Sequence, residues 1–130
     1  MNDAIYIAAP PGTSWPLDLD TLELRLQERF PDLRAFLKHA PVRDQDYLDF
    51  QTTLEGLPRH GAYFDHTHLI LRDAPASLWA ETISWFLGLL PEGAEAVAML
   101  ETNPEHTAPV PRTATPEQIT ALLDELEQAE

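Results

Sequence analysis

Three of the chain's five histidines fall within nine positions, in the stretch HGAYFDHTHLILR that spans residues 60–72. His66 and His68 stand two apart, with Asp65 beside them. Imidazoles and a carboxylate are common zinc ligands and common partners in proton transfer. On a strand, residues i and i+2 point to the same face, so the two imidazoles would lie side by side. A metal site needs a third and usually a fourth ligand, and the supply depends on how the preceding strand pairs. If paired positions sum to 116, His66 opposes Phe50 and His68 opposes Leu48. If they sum to 115, His66 faces Asp49 and His68 faces Tyr47, and His60 in the turn joins an Asp-His-His cluster. A one-residue slip exchanges the two outcomes. The first pairing keeps Leu48, Phe50, Phe64 and Ile70 on one face with both histidines and buries the most apolar surface. It is the expected one, and it predicts no bound metal and no cofactor.

Other reaction motifs are missing. Some ferredoxin-like phosphoesterases carry two H-x-Ser/Thr motifs on separate strands; here H-x-H occurs once, without a second copy. No G-x-S-x-G elbow presents a serine nucleophile. No glycine-rich phosphate loop is present. The chain has no cysteine, which excludes disulfides, thiolate catalysis and cysteine-type zinc sites. Catalytic residues are therefore expected to be absent.

The elements that would position these side chains follow from periodicity. Residues 4–9, AIYIAA, read as a buried strand ending at Pro10-Pro11-Gly12. Leu19, Leu22, Leu26, Phe30, Leu33 and Leu37 recur at three and four residues, which predicts a helix over 19–30. Pro31 breaks it, and a short second helix or turn is expected after it. Asp20 with Glu23 is the expected capping pair. Residues 46–56 alternate as a strand, LPRHG reads as a turn, and residues 62–73 read as the second strand of a hairpin. Residues 75–93 form the strongest helical pattern, with Trp79, Ile83, Phe86, Leu87 and Leu90 on one stripe. Residues 94–103 read as a strand, followed by a proline-rich connection. Thr115-Pro116-Glu117-Gln118 then opens a last helix to about 128. The order β-α-β-β-α-β-α predicts an α+β domain over residues 1–130. The expected architecture is a single four-stranded sheet with helices packed on one face, ferredoxin-like with an added C-terminal helix.

Charge sets the expected partners. The chain holds 22 Asp+Glu against 8 Lys+Arg, a net of −14. Residues 1–72 carry 11 acids and 7 bases, whereas residues 73–130 carry 11 acids and only Arg112. Such a field repels nucleic-acid backbones and steers a basic protein toward the acidic half. The N-terminal stretch MNDAIYIAAPPG has neither the charge nor the apolar length of a signal peptide or membrane span, so a cytoplasmic protein is expected, with no membrane partner.

The leading expectation is a small acidic binding protein or inhibitor that occupies a basic partner. One concrete form is a bacterial immunity protein covering the active surface of a basic toxin. Its expected partner-binding residues are Glu92, Glu95, Glu101 and Glu105 around the last strand, and Asp124, Glu125 and Glu127 on the last helix. Trp85 is the apolar anchor if exposed, since tryptophan dominates binding hot spots; if covered, it belongs to the core with Trp79. A second expectation is a small enzyme or ligand-binding domain using His66 and His68. A third is a homodimer joined by strand edges or by the Trp85 flank.

Overall fold

The computed structural model describes residues 3–129. Ten elements follow one another: β1 (Ile5–Ala8), α1 (Leu19–Arg29), β2 (Arg34–Ala40), β3 (Gln45–Leu54), β4 (Leu57–Phe64), β5 (His68–Arg72), α2 (Ala76–Gly88), β6 (Val97–Leu100), β7 (Thr107–Pro109) and α3 (Pro116–Gln128). The strands form one open seven-stranded sheet in the order β2-β3-β4-β5-β1-β6-β7. Every neighbouring pair is antiparallel. The expected four-stranded ferredoxin-like arrangement is thereby corrected. That arrangement sets its first and third strands side by side and parallel, whereas β1 here runs antiparallel to both β5 and β6.

Three local features account for the difference. After Pro31 the chain enters β2, not a helix; Leu33 and Leu37 have helical spacing, but Leu37 lies on an edge strand and is 64% exposed. The predicted strand 62–73 is two strands, because His66 adopts φ 65° and turns the chain between Phe64 and His68. The proline-rich connection carries β7, which pairs with β6 from Met99↔Thr107 to Val97↔Pro109.

The helices keep their predicted places. Asp18, rather than the predicted Asp20–Glu23 pair, caps α1 by accepting a 2.8 Å hydrogen bond from Thr21 N–H. That bond holds the Asp18 carboxyl below its usual range. α3 opens with the predicted box: Thr115 Oγ1 accepts from Gln118 N–H, and Gln118 Oε1 accepts from Thr115 N–H. Asn103 Nδ2 donates to the Leu126 and Ala129 carbonyls at the other end, tying α3 to the chain beyond β6.

Strand alternation sends one set of side chains inward. Ile5, Ile7, Leu48, Phe50, Tyr63, Leu69, Leu71, Ala98 and Leu100 are all buried. They join Leu22 and Leu26 of α1, Trp79, Ile83, Phe86 and Leu87 of α2, and Ile119, Leu123 and Leu126 of α3 in one core. Tyr63 is fully buried and donates its hydroxyl to the Leu17 carbonyl at 2.8 Å. Burial pushes its pKa up. Trp79 belongs to this core, and its indole N–H donates to the Arg72 carbonyl.

The opposite set of strand residues makes the open face of the sheet. Tyr47 and Phe64 stack at 4.7 Å, Phe64 and His68 at 4.6 Å, and Tyr6 and His68 at 6.2 Å. The four rings form a file across β3, β4, β5 and β1. Each of the four rings is half-buried.

Candidate functional site

The histidine stretch was the strongest chemical signal in the sequence, and its local backbone decides what it can do. The β3–β4 hairpin closes through Glu55 and Gly56 at φ 51° and 78°, the signature of a two-residue type I′ turn. Pairing therefore runs Tyr47↔Phe64, Leu48↔Tyr63 and Phe50↔Gly61. Neither the expected register nor its alternative occurs. Leu48 and Phe50 point into the core, while Phe64, Ile70 and His68 lie on the open face, so the predicted common face is corrected. His66 is not on a strand at all.

The two histidines are separated in role. His66 Nδ1 lies 2.8 Å from the Trp15 carbonyl and therefore carries the proton, because a carbonyl only accepts. Trp15 N–H donates back to the His66 carbonyl at 2.8 Å. This exchange pins the loop before α1 to the β4–β5 turn. Asp65 Oδ1 is 3.3 Å from His66 Nε2 but makes no hydrogen bond among the described residues. His68 sits among Phe64, Tyr6 and the Thr67 hydroxyl, and burial with the nearby Arg43 charge pushes its pKa down to about 4. It is neutral near pH 7. His60 bridges Asp73 and Gln51, and Asp49 bonds Lys38 at 2.8 Å rather than a histidine. Among the described residues, no group of three His, Cys, Asp or Glu could hold a metal ion.

A different constellation forms where β1, α2, β6 and α3 meet. Asp3, Asp124 and Glu127 rim a cleft of about 260 Å³ floored by Ile5, Leu100 and Leu123. Asp3 also accepts a hydrogen bond from the Thr102 hydroxyl, which holds its carboxylate at the rim. Glu101 N–H donates to the Ala4 carbonyl at 3.0 Å, so β6 pairing carries the exposed Glu101 next to that floor. The first turn of α2 forms one wall, and its partial positive charge offsets part of the field of the three carboxylates. The sequence marked Asp124, Glu127 and Glu101. It offered no signal for Asp3, which reaches the cleft only through the pairing of β1 with β6.

The other predicted acids lie elsewhere. Glu92 and Glu95 precede β6 and Glu101 follows it, so Glu95 and Glu101 stand roughly 20 Å apart along an extended chain. Glu105 is exposed in the β6–β7 connection, and Glu125 is exposed on α3 outside the cleft. The structure brings together one end of the predicted acidic surface and leaves Glu92 and Glu95 at the other.

Comparison with protein families, curated proteins and solved structures finds no match.

Trp85 is half-buried and packs against the core. From α1, the Arg29 guanidinium lies over its ring, 5.3 Å from the centroid. Such a cation–π contact contributes about 0.5–1 kcal/mol at a partly exposed site. Among the described residues, no helix is long and apolar enough to cross a membrane.

Proposed function

We propose that the chain is an acidic binding protein that acts in the cytoplasm by occupying a basic protein partner, as an inhibitor or an immunity protein would. The observation that carries the reading is the cleft rimmed by Asp3, Asp124 and Glu127 over an apolar floor. A lysine or arginine side chain matches that chemistry. Its methylene stem packs on Ile5, Leu100 and Leu123 while its charge meets the carboxylates. The surrounding acidic field steers the partner in and raises the association rate at low salt.

Co-purification from the native host at low and at moderate salt tests the reading. The expected result is a basic protein recovered at low salt and depleted at moderate salt, and lost from a variant carrying both Asp124→Lys and Glu127→Lys. Those positions are exposed, so the variant keeps its fold. Recovery of no basic partner, together with turnover of a small molecule that His66→Ala abolishes, would replace this reading with the enzyme.

A further inference from the structure

We propose that β2 is the seam of a homodimer, in which two copies pair their β2 strands antiparallel about a two-fold axis and join two sheets into one. Among the described residues, β2 ends the sheet and bonds only β3. Its ladder with β3 runs unbroken from Arg34↔Gln51 to Ala40↔Gln45, and its sequence RAFLKHA contains no proline or glycine. It therefore offers a regular row of unpaired backbone groups, the feature by which a sheet edge recruits another strand.

The side chains add to that row. Phe36 is 61% exposed and Leu37 is 64% exposed, on opposite faces of the strand. Two of the three basic side chains of β2 are drawn back into the chain, and Arg34, at its start, stays exposed. Lys38 Nζ bonds Asp49 at 2.8 Å, and His39 Nδ1 lies 2.8 Å from Asp46. β2 also holds no carboxylate, in a chain of net charge −14. Two copies meeting here bring no acids face to face at the seam.

A second copy suits the strand better than a foreign segment because the strand complements itself. Pairing centred on Leu37 sets the two Leu37 side chains together and Phe36 of each copy beside the methylene stem of Lys38 of the other, an apolar contact formed twice. The same register places Arg34 opposite Ala40, next to the turn that carries the exposed Asp44. A seven-residue pair about 23 Å long buries on the order of 500 Å² per copy, below the roughly 800 Å² of a standard interface. An interface of this size belongs with weak, transient contacts, so the dimer is a reversible one.

Sedimentation equilibrium of the whole chain from low to high micromolar concentration is the test. Wild type should shift from monomer to dimer across that range, and Leu37→Lys should weaken association at least tenfold. Leu37 is exposed, so the variant should keep the wild-type circular dichroism and melting temperature. Because the chain has no cysteine, Leu37→Cys supplies a single thiol. Oxidation should give a covalent dimer, while the exposed control Leu57→Cys stays monomeric. A wild type that remains monomeric throughout, an association unchanged by Leu37→Lys, or equal cross-linking at both positions would overturn the proposal. So would a monomer that binds an unrelated extended peptide along β2.

Discussion

The sheet ends in two unlike edges. β7 has three residues, finishes at Pro109 and is followed by Pro111, and it packs against α3. Short length and proline both stop further pairing, because proline has no N–H to give. β2 has seven residues without proline, and Phe36 and Leu37, one on each of its faces, stay exposed among the described residues. The charges divide the same way. Glu101 and Glu105 stand beside the β6–β7 edge, while β2 carries Arg34 and Lys38 and no acid. A sheet packed on helices at one end and bare at the other separates two demands: folding is served by the covered end, and association by the bare one.

That division is broken most severely if a covered residue proves dispensable. Trp79 is fully buried and its indole N–H is bonded. Trp79→Ala should cost about 3–5 kcal/mol, from lost burial, the cavity left behind and the orphaned Arg72 carbonyl. For a domain whose total stability is roughly 5–15 kcal/mol, much of the population would unfold. Phe36→Ala on the bare edge should stay within about 0.5 kcal/mol of wild type. Urea denaturation of the two variants in parallel, at concentrations too low for association, checks the contrast; similar midpoints would erase it.

Gly61 sharpens the comparison at the middle of the sheet. A β-carbon there would clash with the tip of the Phe50 ring, which faces it across the β3–β4 pair. Gly61→Ala should cost about 1–3 kcal/mol through overpacking. Pairing it with Phe50→Leu, which vacates ring atoms, should recover part of the loss in a double-mutant cycle. A smaller effect is expected at the covered end. Thr115→Ala removes the cap of α3 and should cost about 1 kcal/mol, again measured in urea.

The same physical division governed what could be read from the sequence. Helices with a buried stripe were legible: α1, α2 and α3 lie where their periodicity put them, and Thr115-Pro116-Glu117-Gln118 announced its capping box. Strands were legible where one face is buried and the other half-exposed, as along Leu48, Phe50 and Thr52. β2 escaped because only Ala35 near its start reaches the core and the middle of the strand is exposed on both faces, so its residues show no alternation and Leu33 and Leu37 imitate a helix. β7 escaped because three residues among prolines carry no period. The split between β4 and β5 rests on the left-handed backbone of His66, which a histidine does not advertise as glycine would. Gly56 after Glu55 did advertise the hairpin turn. Placing the turn later, at Leu57–Gly61, shifted the register and put Phe64 and Ile70 on the wrong face. The acidic cleft was half-visible: Asp124 and Glu127 share a helix turn, but Asp3 arrives through long-range pairing.

The smallest effects come from two histidines that titrate in opposite senses. His68 lies in the ring file, facing Phe64 and Tyr6, with Arg43 as the nearby charge. Its folded pKa of about 4 is below its ordinary 6.5. The unfolded chain therefore binds a proton first, and stability that is full above pH 6.5 is lost as the pH falls toward 4. His68→Gln should flatten the melting-temperature profile in that window and leave the carboxylate-driven loss at lower pH. His39 lies on the bare β2, exposed, and its hydrogen bond to Asp46 raises its pKa, with Asp44 adding to the effect. Its contribution is present below its ordinary 6.5 and is lost as the pH rises through the raised value. Solvent screens that pair, so the alkaline decline should be the shallower of the two. His39→Gln should remove it while leaving the acid side unchanged. A profile in which His39→Gln alters the acid side, or His68→Gln the alkaline side, would show that the ring file and the bare edge of the sheet are not energetically separate.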